Sequence, residues 1–259
     1  MLVMNISNKE KFICIPFLVF LFFFILIPFI IIIIFSFKNG DYFSIESLSI
    51  FFTDISKISS LLKSIFVAVQ ATIICLFLSY PIAYFLAEKN IKNIIVVSIF
   101  AIPMAINFIL KAATIRDLLL LMHIGNSYPY LSTIIGMVYN FLPFAIFPLY
   151  NNFLKIDKSQ SEAASDLGAS PLFVFFYNVI PQTTPGIVSA MMMVFTSSIS
   201  SYVMYDIFSE GKIISIGNVI STSFMNNQWN IGCFSSCVML LVIFLLSFLA
   251  NYLNSNNND

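Results

Sequence analysis

Few residues in this sequence are of types that do covalent chemistry. Among 259 residues there are twelve acidic and twelve basic side chains, one histidine (His123) and four cysteines (Cys14, Cys75, Cys233 and Cys237). All four cysteines sit in apolar runs. Cys233 and Cys237 share a helix face at i,i+4, but no further Cys or His lies near in sequence to complete a metal site, so they read as small hydrophobic residues. A phosphate-cradling P-loop needs a Gly-rich turn followed by Lys-Ser/Thr. The only Gly-Lys pair, Gly211-Lys212, is followed by Ile and lacks the upstream Gly. His123 falls in an expected outer loop with no evident base or acid partner, which points to a surface role. The sequence therefore predicts no catalytic residues, no metal site and no cofactor bound by this chain. Its formal charge of zero implies neither nucleic acid nor an anionic surface as partner.

One stretch has the spacing of a built device: SEAASDLGASPLFVFFYNVIP, residues 161–181. Ser159 stands three residues before Glu162, a capping-box spacing that predicts a helix start. Gly168 suits the left-handed position that ends a helix. Ser170 with Pro171 behind it predicts a second helix start, and Pro181 is expected to end that second helix. The second helix is too short to span a membrane and too apolar to sit bare in water, so it must bury its surface against something. Ala163 and Ala164 offer no bulk and permit close approach by another backbone.

The elements that hold this unit are membrane helices. The chain is 59% hydrophobic and 9% charged, with a mean hydropathy of +0.96, whereas about a quarter of the residues in soluble domains are charged. A spanning helix needs about 20 mostly apolar residues, and six segments qualify: 12–37, 64–87, 93–112, 131–153, 183–206 and 231–252. The first is longer than the ~7–15 residues of a signal-peptide core and is read as a retained helix. The expectation is one all-α integral membrane domain over residues 1–259, with a cytoplasmic or external loop at 154–182. Charge does not say which. One side would hold Lys9, Lys11, Lys89, Lys92, Lys155 and Lys158, and the other Lys38, Lys57, Lys63, Lys111, Arg116 and Lys212, a tie under the positive-inside rule. Prolines inside the spans (Pro28, Pro81, Pro103, Pro143 and Pro148) fit either a bending, path-lining bundle or ordinary tolerance of Pro in membranes. Ser197, Ser200, Ser201 and Met204 fall on one face at i, i+3, i+4 and i+7. That stripe suits a pore lining or a close helix interface equally in kind.

Glu162-Ala163-Ala164, three residues, Gly168, then Pro181 thirteen positions later, extended by Ala169, Ser170, Pro185 and Gly186, resembles the EAA loop of permease subunits of ATP-binding-cassette importers. Six spans with the loop between the fourth and fifth are similar to the same family. The resemblance implies a type I importer permease fold with a cytoplasmic coupling helix, so that both termini are cytoplasmic, in a bacterial inner membrane. It implies as partners a dimer of ATP-binding subunits, in which ATP and Mg would bind, a second homologous permease and an extracytoplasmic substrate-binding protein. Glu162, Ala163, Ala164, Gly168, Ala169 and Ser170 would contact the ATPase. The chain departs from the family in having no basic residue between Ser170 and Pro181, and in having Asn178 where an aliphatic residue is usual.

Pro16, Pro28, Ser36-Phe37 and YFSIESL near the start, and YDIFSEGKIISIGNVI with Asp206, Gly211, Gly217 and Asn218, resemble the spermidine/putrescine group within that family; IPMAINFILKAATIRDLL does so more weakly. Carboxylates and aromatic faces can handle a polycation, so Ser197, Ser201, Tyr202, Tyr205 and Asp206 are candidate path residues, with a helix interface and a solvated loop carboxylate as the plain alternatives. Related permeases for iron, thiosulfate or molybdate share the loop and stay open. A secondary transporter would show inverted repeats and more buried ionisable groups, neither of which is visible.

Overall fold

The computed structural model describes residues 16–17, 19–39, 42–44, 46–88 and 102–256. It is almost wholly helical. In chain order the elements are α1 (Val19–Ser36), a two-residue hairpin of β1 (Lys38–Asn39) and β2 (Tyr42–Phe43), α2 (Glu46–Thr53), α3 (Ile55–Glu88), α4 (Phe108–Leu121), α5 (Ile124–Ser127), α6 (Pro129–Phe153) and α7 (Lys158–Asp166). There follow α8 (Pro171–Ser200), α9 (Tyr202–Ser209), α10 (Ile216–Met225) and α11 (Trp229–Asn256). The hairpin pairs Lys38 with Phe43 and Asn39 with Tyr42.

Five helices among the described residues are long and apolar enough to cross a bilayer: Val19–Ser36, Ile55–Glu88, Pro129–Phe153, Pro171–Ser200 and Trp229–Tyr252. They match the first, second, fourth, fifth and sixth expected spans, with shifted ends. Most of the expected third span, 93–112, lies outside the described residues. Its last part does not continue as one helix, because the chain breaks at 106–107. Asn107 accepts the Ile109 N–H at 2.9 Å and caps a new helix, α4, as a short polar side chain at a helix start does. The second span begins earlier than residue 64 because Asp54 caps α3, accepting the Ser56 N–H at 3.0 Å.

The fifth span departs most from expectation. It neither begins at 183 nor runs to 206; it starts at Pro171 and stops at Ser200. Pro181 does not end the second loop helix. A π-turn, Phe175–Val179, precedes it, with the Ile180 N–H reaching back five residues to the Phe175 carbonyl. Proline cannot donate, and its ring clashes with the carbonyl four residues back; the wider turn displaces that carbonyl and lets the helix continue. The same device recurs in α1, where the π-turn Phe22–Leu26 immediately precedes Ile27-Pro28. Two aromatic-led pentads, FFFIL and FFYNV, each followed by Ile-Pro, thus fold alike. At the other end, Ser200 and Ser201 turn their hydroxyls back to the carbonyls of Thr196 and Ser197, a bonding mode that bends or ends helices.

The described residues fall into two compact units, divided after Ile58, Asn218 and Leu241. In the smaller, Phe51 packs edge-on against Phe234, ring centroids 5.6 Å apart, and Phe224 lies where a side chain on Gly232 would need to be. In the larger, α3 buries its small residues, Ser60, Ser64, Val67, Ala68, Ala71, Thr72, Cys75, Ser79, Ala83 and Ala87, and exposes Leu62, Phe66, Ile73, Phe77 and Phe85. This is the pattern of a helix that packs closely on its neighbours and turns its bulk to lipid. Polar groups along that face are satisfied locally: Ser64 Oγ donates to the Ser60 carbonyl and accepts the Ile216 N–H at 2.8 Å. Tyr205, fully buried, donates to the Ser64 carbonyl at 3.3 Å.

Glycine sets the closest contacts. A Cβ on Gly136 of α6 would fall 2.2 Å from the Phe208 ring of α9, and one on Gly186 of α8 would fall 2.6 Å from Asn152 Cβ of α6. Gly136→Ala should destabilise the purified chain by about 1–3 kcal/mol through overpacking, and Phe208→Leu added to it should restore part of the loss. Thermal unfolding in detergent checks both; equal midpoints for Gly136→Ala and the natural chain refute the close contact.

Candidate functional site

The unit at 154–182 folds as helix, glycine turn, helix, but its first cap is not the expected one. Asp157, not Ser159, is the N-cap of α7: its carboxylate accepts the Ser159 N–H at 3.0 Å and the Ser159 hydroxyl at 2.7 Å. An aspartate two residues earlier out-competes the serine, so no Ser159–Glu162 capping box forms, and Glu162 is left exposed on the helix. The two hydrogen bonds from Ser159 hold the Asp157 carboxyl below its ordinary range.

Gly168 has φ +86°, the conformation glycine adopts without cost. Its N–H donates to the Ser165 carbonyl at 2.9 Å, and Ala169 N–H to the Ala164 carbonyl at 3.1 Å, a Schellman turn that closes the last carbonyls of α7. Ser170 then accepts the Phe173 N–H at 3.3 Å, with Pro171 as the first helical residue. Ala163 and Ser170 are exposed, and Ala164 and Ala169 half-buried.

Residues not singled out in the sequence anchor the unit. Phe175, in the π-turn of α8, packs against Tyr80 and Tyr84 of α3, and both tyrosines also pack against Phe153 of α6. Ring centroids are 5.9 Å (Tyr80–Phe175), 6.0 Å (Tyr84–Phe175), 5.2 Å (Tyr80–Phe153) and 5.6 Å (Tyr84–Phe153), all edge-to-face, the favoured aromatic geometry. Tyr80 OH and Thr183 Oγ1 lie 3.0 Å apart, tying α3 to α8 about two turns beyond Phe175. Asn178, the departure from the family pattern, donates to Ser161 Oγ at 2.9 Å, and Gln182 bridges Gln160 at 3.1 Å and Asn178 at 2.6 Å. This amide chain clips α7 to α8. A groove of about 320 Å³ opens beside it, with Tyr84, Phe153 and Phe175 as walls and Glu88 and Glu162 on its lining. The outer face carries Leu167 (90% exposed), Leu172, Phe173, Phe176 and Tyr177, with Phe173 and Tyr177 stacked at 4.5 Å.

The candidate path residues separate. Ser197, Ser200 and Ser201 line a cavity of about 530 Å³ together with Asn107, Lys111 and Asn140. Met204 does not continue their face, because the helix ends at Ser200 and α9 starts afresh; Met204 and Tyr205 are buried in the core. Tyr202 packs where a Cβ on Gly217 would clash, at 2.7 Å. Asp206 is exposed and accepts from Asn218 at 2.6 Å, while Asn218 and Ser215 cap α10 reciprocally. The turn after α9 uses Glu210 and Gly211, both at positive φ, and Arg116 of α4 pairs with Glu210 at 3.0 Å. Lys111 and Asn140 were not candidates from sequence; the only signal for Lys111 is a lone cation at the end of an apolar run. Among the described residues no group of three or more His, Cys, Asp or Glu gathers as a metal site.

Residues 79–258 match the family model described as "Binding-protein-dependent transport system inner membrane component". The chain belongs to that family of multi-pass membrane proteins and is a permease subunit of an ATP-binding-cassette importer, not an enzyme. It is similar to the spermidine/putrescine transport system permease protein PotB of Escherichia coli (strain K12), 32% identical over 203 residues, covering 72% of this chain and 74% of the relative. The protein of the same name from Haemophilus influenzae is 28% identical over 251 residues, 88% of each chain, and a PotB homolog of Mycoplasma genitalium is 30% identical over 162 residues, 58% of this chain and 57% of the relative. A chain in the crystal structure of a bacterial ABC transporter that imports the acidic polysaccharide alginate shares the fold, with a TM-score of 0.66 at 14% identity over 95% of this chain and 94% of that one.

Replacing Asn178 by Leu removes two of the clip's three hydrogen bonds, and hydrogen exchange of the 158–166 amides should rise about tenfold while that of 185–195 stays level. The Asp157 cap has a sign of its own in pH. A carboxyl whose folded pKa is depressed contributes stability above its unfolded value, about 3.9, and loses it as pH falls through the lower folded value. The same amides should therefore lose protection below about pH 4, and Asp157→Asn, which caps without titrating, should flatten that dependence.

Proposed function

We propose that this chain forms half of a translocation path for polyamines of the spermidine/putrescine class and that the 154–182 unit couples it to ATP hydrolysis in partner subunits. The observation that carries the coupling role is the exposed apolar face of Leu167, Leu172, Phe173, Phe176 and Tyr177, borne on a unit whose other side is locked into the bundle by Phe175. So large an apolar surface on a polar loop is what a protein partner covers. The partner is a dimer of ATP-binding subunits, and ATP and Mg belong to it. Both termini and this loop then face the cytoplasm of a bacterium, a second homologous permease completes the path, and an extracytoplasmic binding protein delivers cargo. Glu162 and Glu88 on the adjoining groove suit a basic side chain of the ATPase, and Glu162, Ala163, Ala164, Gly168, Ala169 and Ser170 form the contact.

The docking face lacks basic residues, so its hold on the ATPase is mainly apolar and should weaken little with salt, because screening acts on exposed charges. The cargo reading rests on the relatives, three of which are polyamine permeases or homologs by name. In the assembled importer, Gly168→Pro and Glu162→Lys should leave the chain in the membrane but abolish ATP-driven uptake. Copurification in mild detergent should recover the ATPase with the natural chain at both low and high salt. Normal uptake by both variants, or a chain that purifies alone where a known importer stays intact, contradicts the coupling role.

A further inference from the structure

The chain that leaves α1 is brought straight back to it. Ser44 N–H donates to the Phe37 carbonyl at 2.8 Å, and the ladder pairs Phe43 with Lys38 and Tyr42 with Asn39. The hairpin thus returns the chain to the level of the end of α1 before α2 begins. Near the other end of α2, Phe51 packs edge-on against Phe234, ring centroids 5.6 Å apart. Phe234 lies in the second turn of α11, which starts at Trp229, about 8 Å along that helix. α2 is therefore tied at its start to the end of one span and near its finish to the beginning of another, so it runs along the membrane boundary instead of rising from it. Its faces are sorted. Ser47 and Phe51 are buried at i,i+4. Leu48 and Phe52, one position further round at the same spacing, are 40% and 58% exposed. Ser49 and Thr53 form an exposed polar edge beyond them. The strand just before adds two bare aromatics, Tyr42 and Phe43.

An exposed apolar stripe with the core on one side and hydroxyls on the other is what a helix lying in a membrane surface presents. Two further side chains mark the same level. Lys38, half-buried, makes no ion pair among the described residues, and its ammonium lies 5.8 Å from the centroid of the Phe35 ring. A stem along apolar surface with its charge at the lipid phosphates is how a lysine closes a span. Trp229, the chain's single tryptophan, opens α11 and is exposed, and Trp and Tyr gather where membrane meets water. We infer that the β1–β2 hairpin and α2 form an in-plane lipid anchor, with Phe43, Leu48 and Phe52 seated on the acyl chains just beneath the headgroups and Ser49 and Thr53 turned to the water. The occupant is the bilayer because the bare face continues that of α1, which has a mean hydropathy of 3.2 and exposes Phe29, Ile30, Ile33 and Phe35 up to the hairpin. Such an anchor fixes how deep the smaller unit sits. The inference needs only that α1 and α11 span the membrane, and it stands whatever the cargo or the role of the 154–182 unit.

The test places a nitroxide at Phe43→Cys, Ser49→Cys or Phe52→Cys in a full-length chain whose natural cysteines (Cys14, Cys75, Cys233 and Cys237) are replaced by Ala. The labelled chain is assembled with its ATPase, partner permease and binding protein in nanodiscs of phosphatidylethanolamine and phosphatidylglycerol. Relaxation of the spin label is then compared for oxygen, which concentrates among acyl chains, and for a nickel chelate, which stays in water. Oxygen should exceed nickel several-fold at Phe43→Cys and Phe52→Cys, and the order should reverse at Ser49→Cys. Nickel exceeding oxygen at both aromatic positions overturns the anchor and leaves the face in water. Exclusion of both relaxants there also overturns it, because a protein, the binding protein or the partner permease, then covers the face. If the cysteine-free chain does not assemble, Phe52→Trp combined with Trp229→Phe decides in its place, in liposomes whose acyl chains carry bromine. Strong quenching of the tryptophan emission supports the anchor, and unquenched emission overturns it.

Discussion

Between helices in hydrocarbon there is no water to expel, so association rests on how closely backbones approach and how well their polar groups pair. The larger unit is organised by that constraint. α3 turns a seam of Ser, Ala, Thr and Cys inward and its phenylalanines outward, and Gly136 and Gly186 admit a ring and an asparagine side chain at distances no Cβ would allow. The inward hydroxyls of Ser64, Thr72 and Ser79 each donate to a carbonyl about one turn back, and Ser64 also accepts a neighbour's N–H. The bundle is dry and tight where small residues meet, and the aromatic bulk that cannot be packed there is left for lipid or gathered at the seam's end.

That end is where the loop is seated. Phe175, in the π-turn of α8, joins the loop to the core through the rings of Tyr80 and Tyr84 of α3, which in turn pack on Phe153 of α6, and Val179 of the same turn is buried in the core. The loop's inner face is therefore committed to the bundle by aromatic contact and by the Tyr80–Thr183 bond, while the amides of Asn178 and Gln182 hold the first helix to the second. The absence of basic residues and the presence of Asn178, both unusual for the family, serve one arrangement: polar groups face inward as a clip, and apolar groups face outward.

Much of this was legible in the residues. Gly168, Ser170 and Pro171 act as turn and cap because their backbone preferences are local and leave little choice. The apolar runs gave five described spans to within a few residues at most ends. What was not legible depended on competition or on distance. Asp157 displaced Ser159 as a cap because two good caps stood two residues apart. Pro181 looked like a stop because the π-turn that accommodates it is a property of the folded segment, not of proline. The stripe through Met204 assumed a helix that Ser200 and Ser201 themselves bring to an end. Lys111 and Asn140, 29 positions apart in the sequence, share a cavity that no spacing rule could anticipate.

The uninterrupted run of α8 has a mechanical consequence. Its 30 residues make a rod about 45 Å long at 1.5 Å per residue, with the docking face at one end, the Phe175 contact close by and Ser197 near the other. A rod held near one end is a lever of unequal arms. A tilt of about 5° around the aromatic contact, small enough to leave those rings in register, sweeps the far end of such a rod through about 3 Å. Had Pro181 broken the helix, the short arm would turn without the long one. The π-turn thus does more than accommodate a proline: it keeps stiff the one member through which a small displacement at the loop becomes a large one at the cavity.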